Sequence, residues 1–338
     1  MSMKKIYVLC PKGVKTGGPE LLHQLVFTIN TLIDGPKAYL TYTSGTLEAT
    51  PVDAYREYIG DSAIEQSQIE DNDNNIIIFP ETDLNLMHKF RNVKKYIWWL
   101  SVDNFLTISK FSTFSGYRKE KGVLRAIKHA LTGDLYDVNA AIKSAEKHLC
   151  QSVYAIDYVK SLGISDDKIE YLADYINDLY VKNSSEYAKR NKISRVLYNP
   201  KKGKEFTQKL IDMAPESIKW VPLINLSNEQ VADYLSSSKL YIDFGNHPGM
   251  DRFPREAATC GCCVITDKRG SAKFKEDVNI PDQYKFEDKE ENIPAILKQI
   301  EYCLANYDVA TKDFENYRSI IKGQKSRFAE DVEKIFGE

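Results

Sequence analysis

Four charged residues lie within six positions in the C-terminal half of the chain. They are Asp251, Arg252, Arg255 and Glu256, and they separate two apolar runs. Arginine near a helix N-terminus opposes the helix dipole, so two of them require a compensating anion. Guanidinium groups match phosphate oxygens in geometry, which makes a diphosphate a suitable anion. The structural alternative is an ion pair between Arg252 and Glu256, one helical turn apart.

The elements around these charges predict where they lie. Residues 239–244 are apolar enough for a buried strand, residues 245–249 are rich in turn formers, and Gly261 ends a helix that contains Ala257 and Ala258. Residues 262–265 predict a second buried strand. The charged loop would then join the carboxyl end of a strand to a helix N-terminus, where open α/β sheets bind anionic ligands.

A second candidate is the glycine-rich loop of residues 13–18. It approaches the spacing of a P-loop, but Pro19 and Glu20 stand where that motif requires Lys and Ser or Thr. The loop is either a structural turn or a turn whose backbone N–H groups approach a ligand. Asp71 and Asp73 have the spacing of some metal-binding motifs, but they lie in a polar turn, and we expect no metal.

Composition narrows the classes of function. The 338 residues include 46 basic and 48 acidic side chains, and this balance does not favour nucleic acid as a partner. No apolar run approaches the roughly 20 residues that cross a bilayer. The N-terminal apolar run is short and predicts a strand instead of a signal peptide. The six cysteines lie mostly in apolar contexts, which indicates thiols in a reducing compartment, and we expect a cytoplasmic protein.

Strands and helices alternate along most of the chain, which predicts doubly wound parallel sheets. The expected strands are 4–11, 37–43, 75–79, 95–100 and 148–151, then 195–198, 218–221, 240–244 and 262–265. The second domain begins near residue 173. Helices at 292–305 and 311–335 complete the chain, the latter broken at Gly323.

A helical, basic segment over about 105–147 interrupts this alternation. Residues 110–129 contain six Lys or Arg and one acid, Glu120, with aromatic residues interleaved. One interpretation is a solvated helical insertion with packed aromatics. The other is a peripheral surface that contacts an anionic membrane, on its inner face, or a lipid-phosphate acceptor.

The stretch 240–272 resembles the nucleotide-sugar-binding segment of retaining GT-B glycosyltransferases of the bacterial polysaccharide type (group 1, GT4-like). The resemblance rests on Pro254, Glu256-Ala257, the strand Gly261-Cys-Cys-Val-Ile265, and Gly270-Ser271-Ala272. Gly17-Gly18 after the first strand and Lys201-Lys202-Gly203 after a later strand are similar to further family features. Many members carry a second glutamate eight positions before the one matched by Glu256, and Pro248 stands there in this chain.

The resemblance implies two Rossmann-like domains facing across a cleft, with boundaries at 1–172 and 173–318 and a final helix, 319–338, returning to the first domain. It implies metal-independent sugar transfer from a nucleoside diphosphate sugar, with no cofactor, to a glycan or lipid-linked acceptor in bacterial surface polysaccharide synthesis. The roles it implies are catalytic for Asp103, Arg252 and Glu256, and donor-binding for Gly17, Gly18, Lys201, Lys202, His247, Asp251, Arg255, Gly270 and Ser271. Asp103 could instead cap a helix together with Asn104.

Two other functions share this architecture. A protein that binds a nucleotide sugar without turnover would have the same residues, and the absence of the first glutamate keeps this alternative open. A two-domain epimerase acting on UDP-sugars would need no acceptor.

Overall fold

The computed structural model describes residues 3–11, 16–43, 55–60, 62–131 and 135–337. The chain divides into two compact units, residues 1–173 with 327–338, and residues 174–326. Each unit contains one parallel sheet with helices, so the predicted α/β class is confirmed. The glycine-rich loop of residues 13–18 lies partly outside the described residues.

The first unit is built on a seven-stranded parallel sheet of order β3-β2-β1-β4-β5-β6-β7. Its buried strands are continuous apolar runs, as expected for a sheet covered on both faces. The order reverses between β1 and β4, which places a topological switch point at their carboxyl ends. The elements are β1 (Lys5–Cys10), α1 (Gly17–Leu32), β2 (Lys37–Tyr42), α2 (Arg56–Ile59), β3 (Ala63–Ile64), β4 (Ile76–Pro80), β5 (Lys94–Trp99), α3 (Val102–Ser109), α4 (Phe114–Lys121), α5 (Val123–Leu131), α6 (Val138–Ser144), β6 (Lys147–Cys150), α7 (Val153–Ser161) and β7 (Ile169–Tyr171).

The second unit is built on a five-stranded parallel sheet of order β12-β11-β10-β8-β9. β10 pairs with both β8 and β11, so their carboxyl ends lie side by side. The elements are α8 (Asp178–Lys182), α9 (Ser184–Tyr187), β8 (Ile193–Tyr198), α10 (Lys204–Met213), β9 (Trp220–Pro222), α11 (Asn228–Ser236), β10 (Ser238–Asp243), α12 (Arg252–Thr259), β11 (Cys263–Asp267), β12 (Lys285–Phe286), α13 (Ile293–Ala305), α14 (Tyr307–Ala310) and α15 (Glu315–Phe336).

Helix boundaries follow local capping chemistry in several places. Ser152 Oγ accepts from the backbone N–H of Ala155 at the start of α7, as its position predicts. Ser227 and Gln230 form a reciprocal capping box at the start of α11. The predicted break at Gly323 is wrong, because α15 runs without interruption through it. Glycine weakens a helix by only about 1 kcal/mol, which burial of the helix elsewhere outweighs.

All six cysteines are buried free thiols. The described residues of the predicted segment 105–147 are mostly helical and include α4, α5, α6 and most of α3. Within the described ranges, no helix is both long and apolar enough to span a membrane.

Candidate functional site

Three loops pack together at the carboxyl edge of the five-stranded sheet, following β8, β10 and β11. Gly203 has a φ of 53°, and a Cβ there would lie 2.0 Å from the carbonyl oxygen of Phe244. Gly270 has a φ of 49°, and a Cβ there would lie 2.0 Å from the carbonyl oxygen of His247. Glycine at these two positions therefore permits both outer loops to pack against the loop after β10.

His247 is the centre of a buried charged network in these loops. Its ring is fully buried, with Nδ1 2.6 Å from Asp251 Oδ2 and Nε2 3.3 Å from Asp267 Oδ1. Burial alone would lower the pKa of His247, but the carboxylates of Asp251 and Asp267 raise it to about 10. The imidazole is therefore a cation at neutral pH.

Lys202 supplies the second cation of this network. Its ammonium contacts the Asp251 carboxylate and lies 3.4 Å from Asp243 Oδ1, with its side chain only 21% exposed. Burial opposes its charge, but Asp243 and Asp251 raise its pKa. Lys202 is thus held by carboxylates of the protein, and a phosphate would compete with them for the ammonium.

Asp243, His247 and Asp251 are also close enough to be metal ligands. Their potential ligand atoms all lie within 4.8 Å of one another. The Lys202 ammonium contacts both carboxylates, so a cationic group of the protein itself already compensates their charge. A metal would have to displace this lysine, and metal-independence stays a prediction.

Arg255 does not have the environment expected for a diphosphate-binding residue. Its side chain is fully buried, and its five N–H groups all meet protein acceptors. Nε donates to the Asp251 carbonyl, Nη1 to the Asp174 carbonyl and Gln324 Oε1, and Nη2 to Asp174 Oδ1 and the Met250 carbonyl, at 2.6–3.2 Å. A phosphate would therefore have to displace one of these protein acceptors, and a donor-binding role for Arg255 stays a prediction.

Arg252 begins α12 and is partly exposed, with 22% of its side chain accessible. Its Nε lies 3.7 Å from Asp174 Oδ2, the same carboxylate that receives Arg255. The anion that compensates two arginines at a helix N-terminus is therefore, at least in part, Asp174. Sequence reasoning considered Glu256 for this pairing and missed Asp174, because 78 positions separate it from Arg252.

Glu256 lies on the inner side of α12, with 8% of its surface exposed. It contacts the hydroxyl of Tyr180 on α8. Burial raises the pKa of Tyr180, and the neighbouring Glu256 carboxylate raises it further. Because only a small part of Glu256 is accessible, a ribose could reach it only at that exposed edge.

Of the remaining candidates in this unit, Lys201 is exposed and Ser271 is buried. Ser271 Oγ donates to the Gly249 carbonyl at 2.6 Å, and its backbone N–H donates to the His247 carbonyl at 2.9 Å. Ser271 therefore fixes the loop after β10, while Lys201 presents its charge to solvent.

The candidates in the first unit are Gly17, Gly18 and Asp103. The two glycines form the first turn of α1, after the undescribed residues 12–15. Asp103 lies in the first turn of α3, and its Oδ1 accepts a hydrogen bond from Tyr154 Oη at 2.9 Å. The predicted cap of Asp103 with Asn104 is wrong, because Ser101 Oγ accepts from the Asn104 N–H.

A buried carboxylate that sequence reasoning missed lies near the switch point of this sheet. Glu81 follows β4, is 3% exposed, and its Oε2 accepts from the Leu100 N–H at 2.9 Å. Burial raises the pKa of Glu81 to about 8, although backbone donors oppose the shift. The available signal was a carboxylate placed directly after a wholly apolar strand.

No protein-family model and no curated protein matches this chain. Solved structures do match over almost its whole length. Sucrose-phosphate synthase from Thermosynechococcus elongatus has a TM-score of 0.64 at 12% identity, with 98% of each chain covered. HepE of Anabaena, in complex with UDP-glucose, has a TM-score of 0.62 at 11% identity, again with 98% of each chain covered.

A third similar structure is the apo form of WaaB, a lipopolysaccharide outer core galactosyltransferase. It has a TM-score of 0.57 at 10% identity, and 97% of this chain and 99% of that chain are covered. At identities this low, structural similarity establishes the fold alone, and that fold is GT-B. The predicted fold class is therefore confirmed, and function must be argued from the site.

Proposed function

We propose that this protein is a glycosyltransferase that uses a nucleoside diphosphate sugar as donor. The observation that carries the proposal is that Arg252 begins α12 in the segment after β10, while Lys201 lies in the loop after β8, the strand paired with β10. Partly exposed cations at such an edge suit an anionic diphosphate. The similarity in fold to structures described with UDP-glucose makes UDP-sugars the first donors to test.

In this proposal, Arg252 and Lys201 neutralise the leaving nucleoside diphosphate, a role of electrostatic stabilisation. The exposed edge of Glu256 would bind the ribose. Lys202, His247, Asp251 and Arg255 shape the loop through their buried contacts. Gly270 and Ser271 fix the neighbouring turn. The Gly17-Gly18 turn would approach the donor phosphates, and Asp103 would act on the acceptor.

The finer parts of the proposal concern the acceptor and the pathway. We infer a hexose as the transferred sugar, a glycan or lipid-linked acceptor, and a place in bacterial surface polysaccharide synthesis in the cytoplasm, without a metal. The similarity in fold to a lipopolysaccharide galactosyltransferase supports this direction. The linkage and its stereochemistry depend on donor-sugar contacts that Pro248 does not provide.

Calorimetry with UDP and GDP, followed by an assay of UDP release from UDP-sugars, tests the proposal. We expect Arg252→Ala to weaken nucleotide binding by about 1–3 kcal/mol, the range for hydrogen bonds to charged groups. Arg190→Ala is the matched control, because Arg190 is an arginine of the same unit in exposed ion pairs with Glu186 and Asp233. Equal nucleotide affinity in the unaltered protein, Arg252→Ala and Arg190→Ala would refute the assigned site.

Two outcomes would favour the alternatives. Tight nucleotide binding without hydrolysis or transfer, across acceptors, would indicate a nucleotide-sugar-binding protein without turnover. Interconversion of free UDP-sugars in the absence of any acceptor would indicate an epimerase.

A further inference from the structure

Helix α5 carries large apolar side chains that are exposed. Leu124 and Leu131 are 84% and 83% exposed, and Val123 and Ile127 are 52% and 46% exposed. Residues 124, 127 and 131 are spaced by three and four positions, so they lie on one face of the helix. The opposite side contains Ala126, which is fully buried. Exposed leucines grouped on one face, instead of scattered singly, indicate an interaction surface.

The pairing of α4 with α5 does not use this apolar face. Tyr117 of α4 stacks on His129 of α5 with ring centroids 4.1 Å apart, and Phe111 packs edge-on against Tyr117. Thr113 Oγ1 accepts from the Gly116 N–H and caps α4. The hairpin formed by α4 and α5 is therefore held by its own aromatic contacts, and the exposed leucines can be changed without removing them.

The segment that carries the apolar face is also rich in exposed positive charge. All six basic side chains of residues 110–129 are exposed, and none forms an ion pair with a carboxylate in the parts of the chain that the structure describes. They are Lys110, Arg118, Lys119, Lys121, Arg125 and Lys128, and Glu120 is the one acidic residue of this segment. A helix with exposed leucines and flanking cations has the composition of an interfacial membrane helix.

We propose that the α4–α5 hairpin docks on an anionic lipid surface. The leucines of α5 would contact the acyl chains, and the basic side chains would contact head-group phosphates. A second copy of this chain is a poorer occupant, because pairing two such faces would bring like charges together. The proposal concerns where the protein binds and does not depend on the transfer of a sugar.

Sedimentation with vesicles tests this proposal on the full chain. We expect binding to phosphatidylcholine vesicles that contain phosphatidylglycerol, with weak binding to phosphatidylcholine alone and weakening at high salt. The double variant Leu124→Ser with Leu131→Ser should bind at least about tenfold more weakly, since it removes buried apolar contact. Arg118→Gln with Lys119→Gln should bind roughly 25-fold more weakly at low salt, at about fivefold per charge.

Matched controls lie in the other unit. Met213 and Val309 are 58% and 61% exposed, so Met213→Ser with Val309→Ser also removes exposed apolar surface, though less of it. Lys298→Gln with Lys322→Gln removes two exposed charges. These variants should bind vesicles like the unaltered protein. Circular dichroism and nucleotide affinity should be unchanged in all four double variants. Loss of vesicle binding can therefore be distinguished from failure of the proposed function.

Three results would overturn the proposal. The first is equal binding to vesicles with and without phosphatidylglycerol, and the second is unchanged binding by the leucine variant. The third is a dimer in light scattering that the leucine variant abolishes, without any vesicle binding, which would assign the face to a second copy of the chain.

Discussion

At the scale of single residues, the loop after β10 depends on charges that are buried and paired. His247 is a cation between Asp251 and Asp267, and Lys202 lies between Asp243 and Asp251. Removing one partner of a buried pair is costly, because the other charge is left without compensation. These ion pairs therefore contribute to the stability of the loop.

The pKa of His247 predicts how stability depends on pH. Its folded value of about 10 exceeds the unfolded value near 6.5. The stabilisation is therefore complete below pH 6.5 and is lost as the pH rises towards 10. Urea unfolding at pH 7 and pH 9.5 should show a loss of roughly 2–4 kcal/mol that His247→Gln lacks. The control is His88→Gln, at an exposed histidine, which should keep the pH dependence of the unaltered protein. The same pH dependence in His247→Gln as in the unaltered protein would contradict this assignment.

Arg255 predicts a large effect that lysine cannot restore. Arg255→Ala removes the ion-pair partner of the Asp174 carboxylate, which is only 2% exposed. Because a buried charge is then left without compensation, we expect about 3–5 kcal/mol of destabilisation. Arg255→Lys should restore little of it, because an ammonium cannot replace five donors in a planar fork. Denaturant unfolding measures both, with Arg190→Ala expected to cost at most about 1 kcal/mol. Full stability of Arg255→Lys would show that charge alone matters there.

At the scale of elements, α12 is positioned by loops that approach one another more closely than side chains allow. Gly203 and Gly270 sit where the loops after β8 and β11 meet the loop after β10. Both adopt positive φ, so conformation and space each require glycine. The position of α12, and with it that of Arg252 and Glu256, therefore depends on backbone contacts between these loops.

Gly203→Ala should destabilise the second unit strongly, because the added Cβ would lie 2.0 Å from a backbone oxygen. We expect a loss of at least about 2 kcal/mol from strain at this φ and from displacement of the Phe244 turn. Gly35→Ala is the matched control, since Gly35 also has a positive φ but no atom within 4 Å of an added Cβ. Equal effects of the two substitutions in thermal unfolding would show that close approach is unimportant.

Gly323→Ala should stabilise the protein, in contrast to Gly203→Ala. Gly323 lies within the continuous helix α15, and an added Cβ there would have no atom within 4 Å. We expect an increase in the free energy of unfolding of about 0.5–1 kcal/mol, from reduced freedom of the unfolded chain. A decrease would indicate that the helix needs a break at this position.

At the scale of the whole molecule, the chain forms two units, and the last twelve residues belong to the first of them. Within that unit Phe328, Val332 and Phe336 are buried, and Phe336 packs on Tyr96 with ring centroids 6.3 Å apart. The first unit is therefore completed by residues distant in sequence from its sheet.

Phe336→Ala should destabilise the first unit by about 3–5 kcal/mol, the usual cost of deleting a buried aromatic side chain. Two of the three tryptophans, Trp98 and Trp99, lie in that unit, and Trp220 lies in the other. In a Trp220→Phe background, tryptophan fluorescence would report the first unit alone. The exposed Phe27, at 40% accessibility, offers a control substitution in the same unit. An unchanged fluorescence transition in Phe336→Ala would contradict the packing of α15 on this sheet.

Much of the fold follows from local sequence patterns. The apolar runs at 76–80 and 263–265 are strands because only burial on both faces suits them, and Ser152 and Ser227 begin helices because their side chains satisfy backbone N–H groups. The short strands β3, β7 and β12 were not predicted, because two or three residues at a sheet edge carry no periodic signal.

The sequence by itself determined the α/β class and the location of the charged loop, because both follow from residue type and from spacing along the chain. Only the tertiary structure decided what each charge does. Asp174 lies 81 positions from Arg255, and Lys202 lies 49 positions from Asp251, so folding alone brings these pairs together. Of the two arginines first identified, Arg255 is therefore buried among protein acceptors, while Arg252 remains partly exposed at the start of α12.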